Sequence, residues 1–173
     1  MRINPIKLCL LAMSVLMLAG CKPMSEASWY RQLFGQGTAL VDGGFTPSDH
    51  WQGQWRIVNI WAEWCKPCWQ EIPELNEFNT SHSNSNIKLL GYNFDELTLE
   101  ELKSLKAKMS IEFPVLRSWP KEWLIPDVKG LPATVIIAPD NTSIKLLWGP
   151  QTVAKLTREI DAAKAQYNEQ NPK

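Results

Sequence analysis

The chain is poor in cysteine and histidine, carries no charge surplus, and contains no apolar run long enough to cross a bilayer. Its 173 residues include four cysteines and two histidines. Lysine plus arginine number 18, and so do aspartate plus glutamate. No basic surplus exists to hold nucleic acid, and no charged block reads as an interaction tail. The apolar run 8–18 (LCLLAMSVLML) has eleven residues, short of the roughly 20 that a spanning helix takes. No segment repeats. What is present is enough chain for one domain with a real core, and an unusual nine tryptophans.

The run 8–18 follows Arg2 and Lys7 and ends in Leu18-Ala19-Gly20-Cys21. A positive start, a short apolar core and small residues make a signal peptide. The last four residues resemble the lipobox of bacterial lipoproteins. In that family the chain is cut before the cysteine, whose sulfur then carries a lipid. The resemblance implies a signal peptide over 1–20, a lipidated Cys21 and a lipid-anchored tether over 21–35. Cys9 then leaves with the signal peptide, and only Cys65 and Cys68 remain free to pair. Removing Arg2 and Lys7 leaves 16 basic against 18 acidic residues, a formal charge of −2. Lys22 stands where inner-membrane lipoproteins often carry aspartate, so the inner and outer membranes both stay open. The exported side of a membrane permits disulfides.

A domain over 36–168 follows, with a tail at 169–173. Residues 29–34 read as a short helix, 38–41 as a short strand, Asp42-Gly43-Gly44 as a turn, and 47–54 as loop. Residues 56–62 (RIVNIWA) form a β-rich apolar run, hence a buried strand. A helix starts at the cysteines and runs to about 79, with Ile72, Leu75 and Phe78 on its core face and Pro73 bending it. After a polar loop at 81–86, residues 87–93 read as a strand. Thr98 and Glu101 form a capping-box pattern ahead of the stripe Leu102, Leu105 and Met109. Residues 113–116 read as a short strand, 117–130 as loop, 133–138 as a strand and 143–148 as its antiparallel return. A last helix covers about 151–167, with Val153, Leu156, Ile160 and Ala163 along one face. The order β-α-β-α-β-β-α, after a short N-terminal strand extension, predicts an α/β fold. Its mixed central sheet carries helices on both faces.

Cys65-Lys66-Pro67-Cys68 falls where a strand hands over to a helix. The first turn of a helix has free N–H groups and the positive end of the dipole. A Cys65 thiolate is stabilised there and its pKa falls. Lys66 adds positive charge, and Pro67 suits a position where a missing N–H costs little. Three residues on, Cys68 returns to the same face, able to close a disulfide, and should be the more buried. Cys65 is therefore the attacking nucleophile and Cys68 the resolving partner. Other readings compete. Zinc usually takes four ligands, but His50 and His82, the only histidines, stand in polar loops and no second cysteine pair exists. Cu(I) is softer and could use two thiolates. A purely structural disulfide over so short a loop would constrain little unfolded chain.

IVNIWAEWCKPC, residues 57–68, resembles the active-site strand and helix start of thioredoxins. The continuation Cys68-Trp69-Gln70-Glu71-Ile72-Pro73 is similar to their membrane-anchored, extracytoplasmic branch, the TlpA, ResA and DsbE type. The resemblance spans 36–168 and implies a thioredoxin-like fold. Gly130-Leu131-Pro132-Ala133-Thr134 resembles the segment whose cis proline faces the cysteines. It implies that Pro132 is cis and that the Leu131 backbone pairs with an extended substrate. Asn59 stands where thioredoxin has a buried aspartate. Asparagine cannot ionise, so that acid's proton-transfer role must move or weaken. Glu71 matches an acidic residue of the branch, one helical turn beyond Cys68. A carboxylate there would raise thiol pKa values and shuttle a proton. The other reading makes it a solvated surface glutamate like Glu74 and Glu77. Trp64 forms part of an apolar rim that receives a partner protein, and Lys66 and Pro67 also stand to meet substrate. Trp69 is ordinary helix surface or core, Glu63 a solvated residue. Phe94-Asp95-Glu96 follows the second strand and could line the site.

These readings imply a lipid-anchored thiol-disulfide oxidoreductase on the periplasmic side of a bacterial membrane. It needs no metal or organic cofactor beyond the Cys65–Cys68 disulfide. The resemblance favours the reducing direction, with electrons from a transmembrane thiol relay. Substrates in such families include apocytochrome c and copper-centre assembly proteins. Two alternatives remain: the same chemistry run as an oxidase or isomerase, and a Cu(I) metallochaperone using the same thiols.

Overall fold

The computed structural model describes residues 37–124, 127–141 and 144–172. Cys21 and the signal peptide, tether and 29–34 helix that the sequence leads one to expect lie outside them. In chain order the elements are β1 (Gly37–Ala39), β2 (Phe45–Pro47), a 3-10 turn (Ser48–Trp51), β3 (Trp55–Trp61), α1 (Lys66–Ser81), β4 (Ile87–Asn93), α2 (Leu99–Lys108), β5 (Val115–Leu116), β6 (Ala133–Ile137), β7 (Ile144–Trp148) and α3 (Val153–Gln170). The expected order β-α-β-α-β-β-α is one strand short: β5, β6 and β7 all stand between α2 and α3.

Five strands form one sheet, β5-β4-β3-β6-β7. β3 lies at its centre, parallel to β4 and antiparallel to β6. Every residue of β3 is buried, the polar Arg56 and Asn59 included, as in a strand covered on both faces. Alternate residues feed two cores. Trp55, Ile57 and Trp61 share one with Ile72, Leu75 and Phe78 of α1, Leu102 and Leu105 of α2, and Leu156 and Ile160 of α3. Val58 and Ile60 share the other with Leu90, Val135, Trp51 and Trp123. The α-helices, expected on both faces, thus gather on one. The three α-helices pack into the first core, and the second is closed by the 3-10 turn and the segment bearing Trp119 and Trp123. Arg56 is buried on that second side. Its guanidinium lies 5.2 Å from the Trp123 ring centroid and donates to Asn141 Oδ1 at 2.5 Å.

The N-terminal extension is a two-stranded antiparallel ribbon rather than one strand, because β2 pairs with β1 from Gly37↔Pro47 to Ala39↔Phe45. The loop expected over 47–54 is therefore the end of that ribbon and a 3-10 turn. Beyond β1 the chain runs along the edge of β5. Val41 N–H donates to Val115 O at 2.8 Å, and Arg117 N–H to Ala39 O at 2.9 Å. That covers an edge which would otherwise present unpaired backbone groups. α1 continues through Pro73 to Ser81. His82, expected in a loop, caps that helix instead. Its N–H donates to Phe78 O at 3.1 Å, and its ring stacks on Phe78 at 4.0 Å. The Thr98–Glu101 capping box is present in full at the start of α2.

Candidate active site

β3 delivers the chain to the mouth of α1, where Cys65 is the N-cap with an extended backbone. Its Sγ accepts the Cys68 N–H at 3.3 Å, one of the orphan donors of a first helical turn. Cys65 and Cys68 are joined by a disulfide with Cα atoms 5.3 Å apart. Cys68 is 0% exposed and Cys65 3%, so the sulfur that can be reached is Cys65. Lys66 is exposed and Pro67 half-buried.

Glu71 is not a surface glutamate. It is 1% exposed, one turn along α1 from Cys68. Asn59 Nδ2 donates to its Oε1 at 2.8 Å, and the Gln151 backbone N–H to its Oε2 at 2.8 Å. Asn59 Nδ2 also reaches Thr134 Oγ1 at 3.3 Å. Burial pushes the Glu71 carboxyl up to about 7, against the pull of the Gln151 and Asn59 hydrogen bonds and of Lys155. Where thioredoxin carries a buried acid, the strand here carries a buried amide. The acid stands on the facing helix, in direct contact with that amide. Thr134 and Gln151 escaped the sequence reading. Thr134 looked like ordinary strand, and Gln151 acts through a backbone group that no residue type announces.

The Leu131–Pro132 peptide is cis. The register pairs Asn59 with Thr134 and Ile60 with Ala133, so Pro132 falls level with Trp61, at the sheet end from which the chain enters the cysteine turn. Leu131 is half-buried. Trp64 is 65% exposed and Phe94 48%; their rings meet edge to face at 6.4 Å. Asp95 accepts the Trp64 indole N–H at 3.1 Å. Phe94 and Asp95 thus stand against Trp64, the residue expected to form the rim. Trp69 is half-buried, and its indole donates to Glu63 O at 2.9 Å. Glu63 is exposed and pairs with Lys108 at 2.8 Å. Glu74 differs from the solvated residue expected: it accepts the Val153 N–H at 2.9 Å and so caps α3.

Among the described residues no group of three His, Cys, Asp or Glu side chains is arranged to hold a metal ion. Once reduced, the two cysteine sulfurs are the soft ligands the site offers.

The sequence model of the AhpC/TSA family matches residues 38–142. The chain is similar to the thiol-disulfide oxidoreductase ResA of Geobacillus kaustophilus, 24% identical over 149 residues that cover 78% of this chain and 85% of that protein. It is similar also to the thiol:disulfide interchange protein HelX of Rhodobacter capsulatus, 29% identical over 123 residues, 70% of this chain and 67% of that one. Its fold superposes on a thioredoxin-family thiol:disulfide interchange protein from Chlorobium tepidum TLS. The TM-score is 0.61 at 23% identity, over 73% of this chain and 91% of that one. StoA from Bacillus subtilis gives a TM-score of 0.55 at 20% identity, over 70% and 92%.

Proposed function

The chain belongs to the AhpC/TSA family and is a thioredoxin-like thiol-disulfide oxidoreductase, and from that premise we propose that it reduces protein disulfides outside the cytoplasm. The observation that carries the reading is the buried Glu71 carboxyl one turn from Cys68. A carboxylate near the sulfurs raises the energy of their thiolates. Strong oxidants of this chemistry owe their potential to a stabilised reduced form. A pair whose reduced form is not stabilised gives up electrons more readily.

In the proposed cycle the Cys65 thiolate, held by the Cys68 N–H and the α1 dipole, attacks one sulfur of a substrate disulfide. That S–S bond breaks, the other substrate sulfur leaves as a thiolate, and a mixed disulfide forms. Cys68 gives its proton to the Glu71 carboxylate and attacks Cys65 Sγ. The second substrate sulfur leaves, and the Cys65–Cys68 disulfide closes. Two electrons have passed to the substrate. The backbone at Leu131 and cis-Pro132 aligns the substrate strand, and Trp64, Lys66 and Pro67 form its rim. A transmembrane thiol relay restores the dithiol, and no other cofactor enters. Family resemblance makes apocytochrome c and copper-centre assembly proteins the substrate candidates. Residues 1–20 act as a signal peptide, 21–35 tether the lipid on Cys21, and 36–168 form the working domain with a tail at 169–173.

The test is the reduction potential of Cys65–Cys68 in the full chain, read by thiol alkylation against graded thiol–disulfide buffers. A value of about −250 mV or lower fits a reductase that needs a donor. A value of about −120 mV would mean that the pair hands disulfides out, and the proposed direction would be wrong.

A further inference from the structure

We infer that Asn59 is a reversible positioning residue for Glu71: its side-chain amide turns over with the state of the carboxyl, so that one pocket holds both the ionised and the protonated acid. The inference rests on the reading that Glu71 exchanges a proton during the cycle.

The motive is a mismatch of donors and acceptors. Asn59 is fully buried on the central strand. Its Nδ2 serves both Glu71 Oε1, at 2.8 Å, and Thr134 Oγ1, at 3.3 Å. Its Oδ1 is buried with no hydrogen-bond partner among the described residues. Both Glu71 oxygens face donors, since Oε2 takes the Gln151 N–H. This arrangement suits a carboxylate, which only accepts. A protonated Oε1 would point its O–H at the N–H of Asn59, donor against donor.

A half-turn of the amide removes the conflict, because its O and N exchange places with almost no change of shape. Oδ1 then accepts from Glu71 Oε1–H. It also accepts from the Thr134 hydroxyl, which donates as readily as it accepts. Two hydrogen bonds are lost and two are made, and the Gln151 contact stays. An aspartate at 59 would set a second carboxylate against the first; an aliphatic residue would serve neither state. The other groups that bear on Glu71 are Lys155 from α3 and, on its own helix, Cys68 once it is a thiol. Glu74, a turn further on, is committed to Val153 N–H.

The experiment is NMR of the full chain in detergent, oxidised so that the cysteines do not titrate. It follows the Asn59 side-chain amide and the Glu71 carboxyl carbon across pH. The expected result is that both move with one midpoint. In Glu71→Gln, the Gln side-chain oxygen must accept from Gln151, so its N–H must point at Asn59. There the Asn59 amide should hold its low-pH position at every pH. An Asn59 amide that stays fixed while Glu71 titrates overturns the inference, and so does a Glu71 carboxyl that never titrates. The pH profile of disulfide exchange by Glu71→Gln separates the two readings. If that profile matches the parent protein while the Asn59 amide still turns over, Glu71 handles no proton in the cycle, yet the coupling stands.

Discussion

Glu71 is held where its charged form is disfavoured, so the oxidised protein's stability must depend on pH. Its carboxyl is raised from 4.5 to about 7 by burial. Between those values the folded chain binds more proton than the unfolded chain, and stability falls as pH rises. The contribution is fully present below about 4.5 and is lost by the time pH passes about 7. The shift corresponds to about 3 kcal/mol. Urea unfolding of oxidised protein at a series of pH values should show this decline, and Glu71→Gln should flatten it. An unchanged slope in the variant would place the effect elsewhere. Cys68→Ser addresses the other half of the site. With the resolving sulfur gone, Cys65 should accumulate mixed disulfides with substrate proteins, visible on non-reducing gels as bands that dithiothreitol removes. A Cu(I) carrier would instead lose metal and trap nothing. The burial of Glu71 was half legible. Cys68, Glu71, Leu75 and Phe78 follow one another at helical spacings of three and four, so the stripe that buries the others buries the glutamate. Its partners were not legible. The Gln151 donor lies 80 residues away, and pattern alone carries no information about contacts at that range.

At the scale of elements, what the sequence announces depends on how many residues each one offers to a pattern. β3, β4 and β6 were readable because five to seven residues of apolar, β-branched character leave few alternatives. α2 announced its own start through Thr98 and Glu101. β2 has three residues, too few for any periodicity, and exists because β1 offers it a partner. The ends of elements hide interactions of their own. Glu74 of α1 caps the start of α3 through the Val153 N–H, where an anion also meets the positive end of the helix dipole. Glu74→Ala should lower stability by about 1 kcal/mol in urea titration, with the reduction potential unmoved. Gly91, midway along β4, is constrained by its neighbours. A Cβ there would lie 3.1 Å from both Phe113 and Val115 side-chain carbons and 3.2 Å from Trp61 Nε1. Three buried neighbours would have to give at once. Gly91→Ala should therefore cost about 1–3 kcal/mol, and a stability equal to the parent's would show that the β4–β5 face is looser than its packing implies.

For the whole molecule the question is how a site with so narrow an opening meets both donor and substrate. Cys65 is 3% exposed, so exchange requires a partner that fits closely around it, in the proposed reading against Trp64 and Pro132, and encounters must be frequent for productive ones to occur. Among the described residues no helix is long and apolar enough to cross a membrane. The proposed lipid on Cys21 would meet that need. A tether over 21–35 reaches at most about 50 Å when fully extended, which would keep the domain close to a membrane-bound thiol relay. Confinement raises the effective concentration of donor around the site without adding any contact to the domain. The chemistry and the anchoring should then separate cleanly in Cys21→Ser. The variant should move from the membrane to the soluble fraction, reduce a soluble disulfide as fast as the parent when given dithiothreitol, and accumulate in the Cys65–Cys68 oxidised form in cells, because its donor has become dilute. Retention of Cys21→Ser in the membrane fraction would mean that something other than a lipid on that sulfur holds the chain. Full reduction in cells after release would mean that the donor is itself soluble, and the membrane relay would have to be abandoned while the site stood.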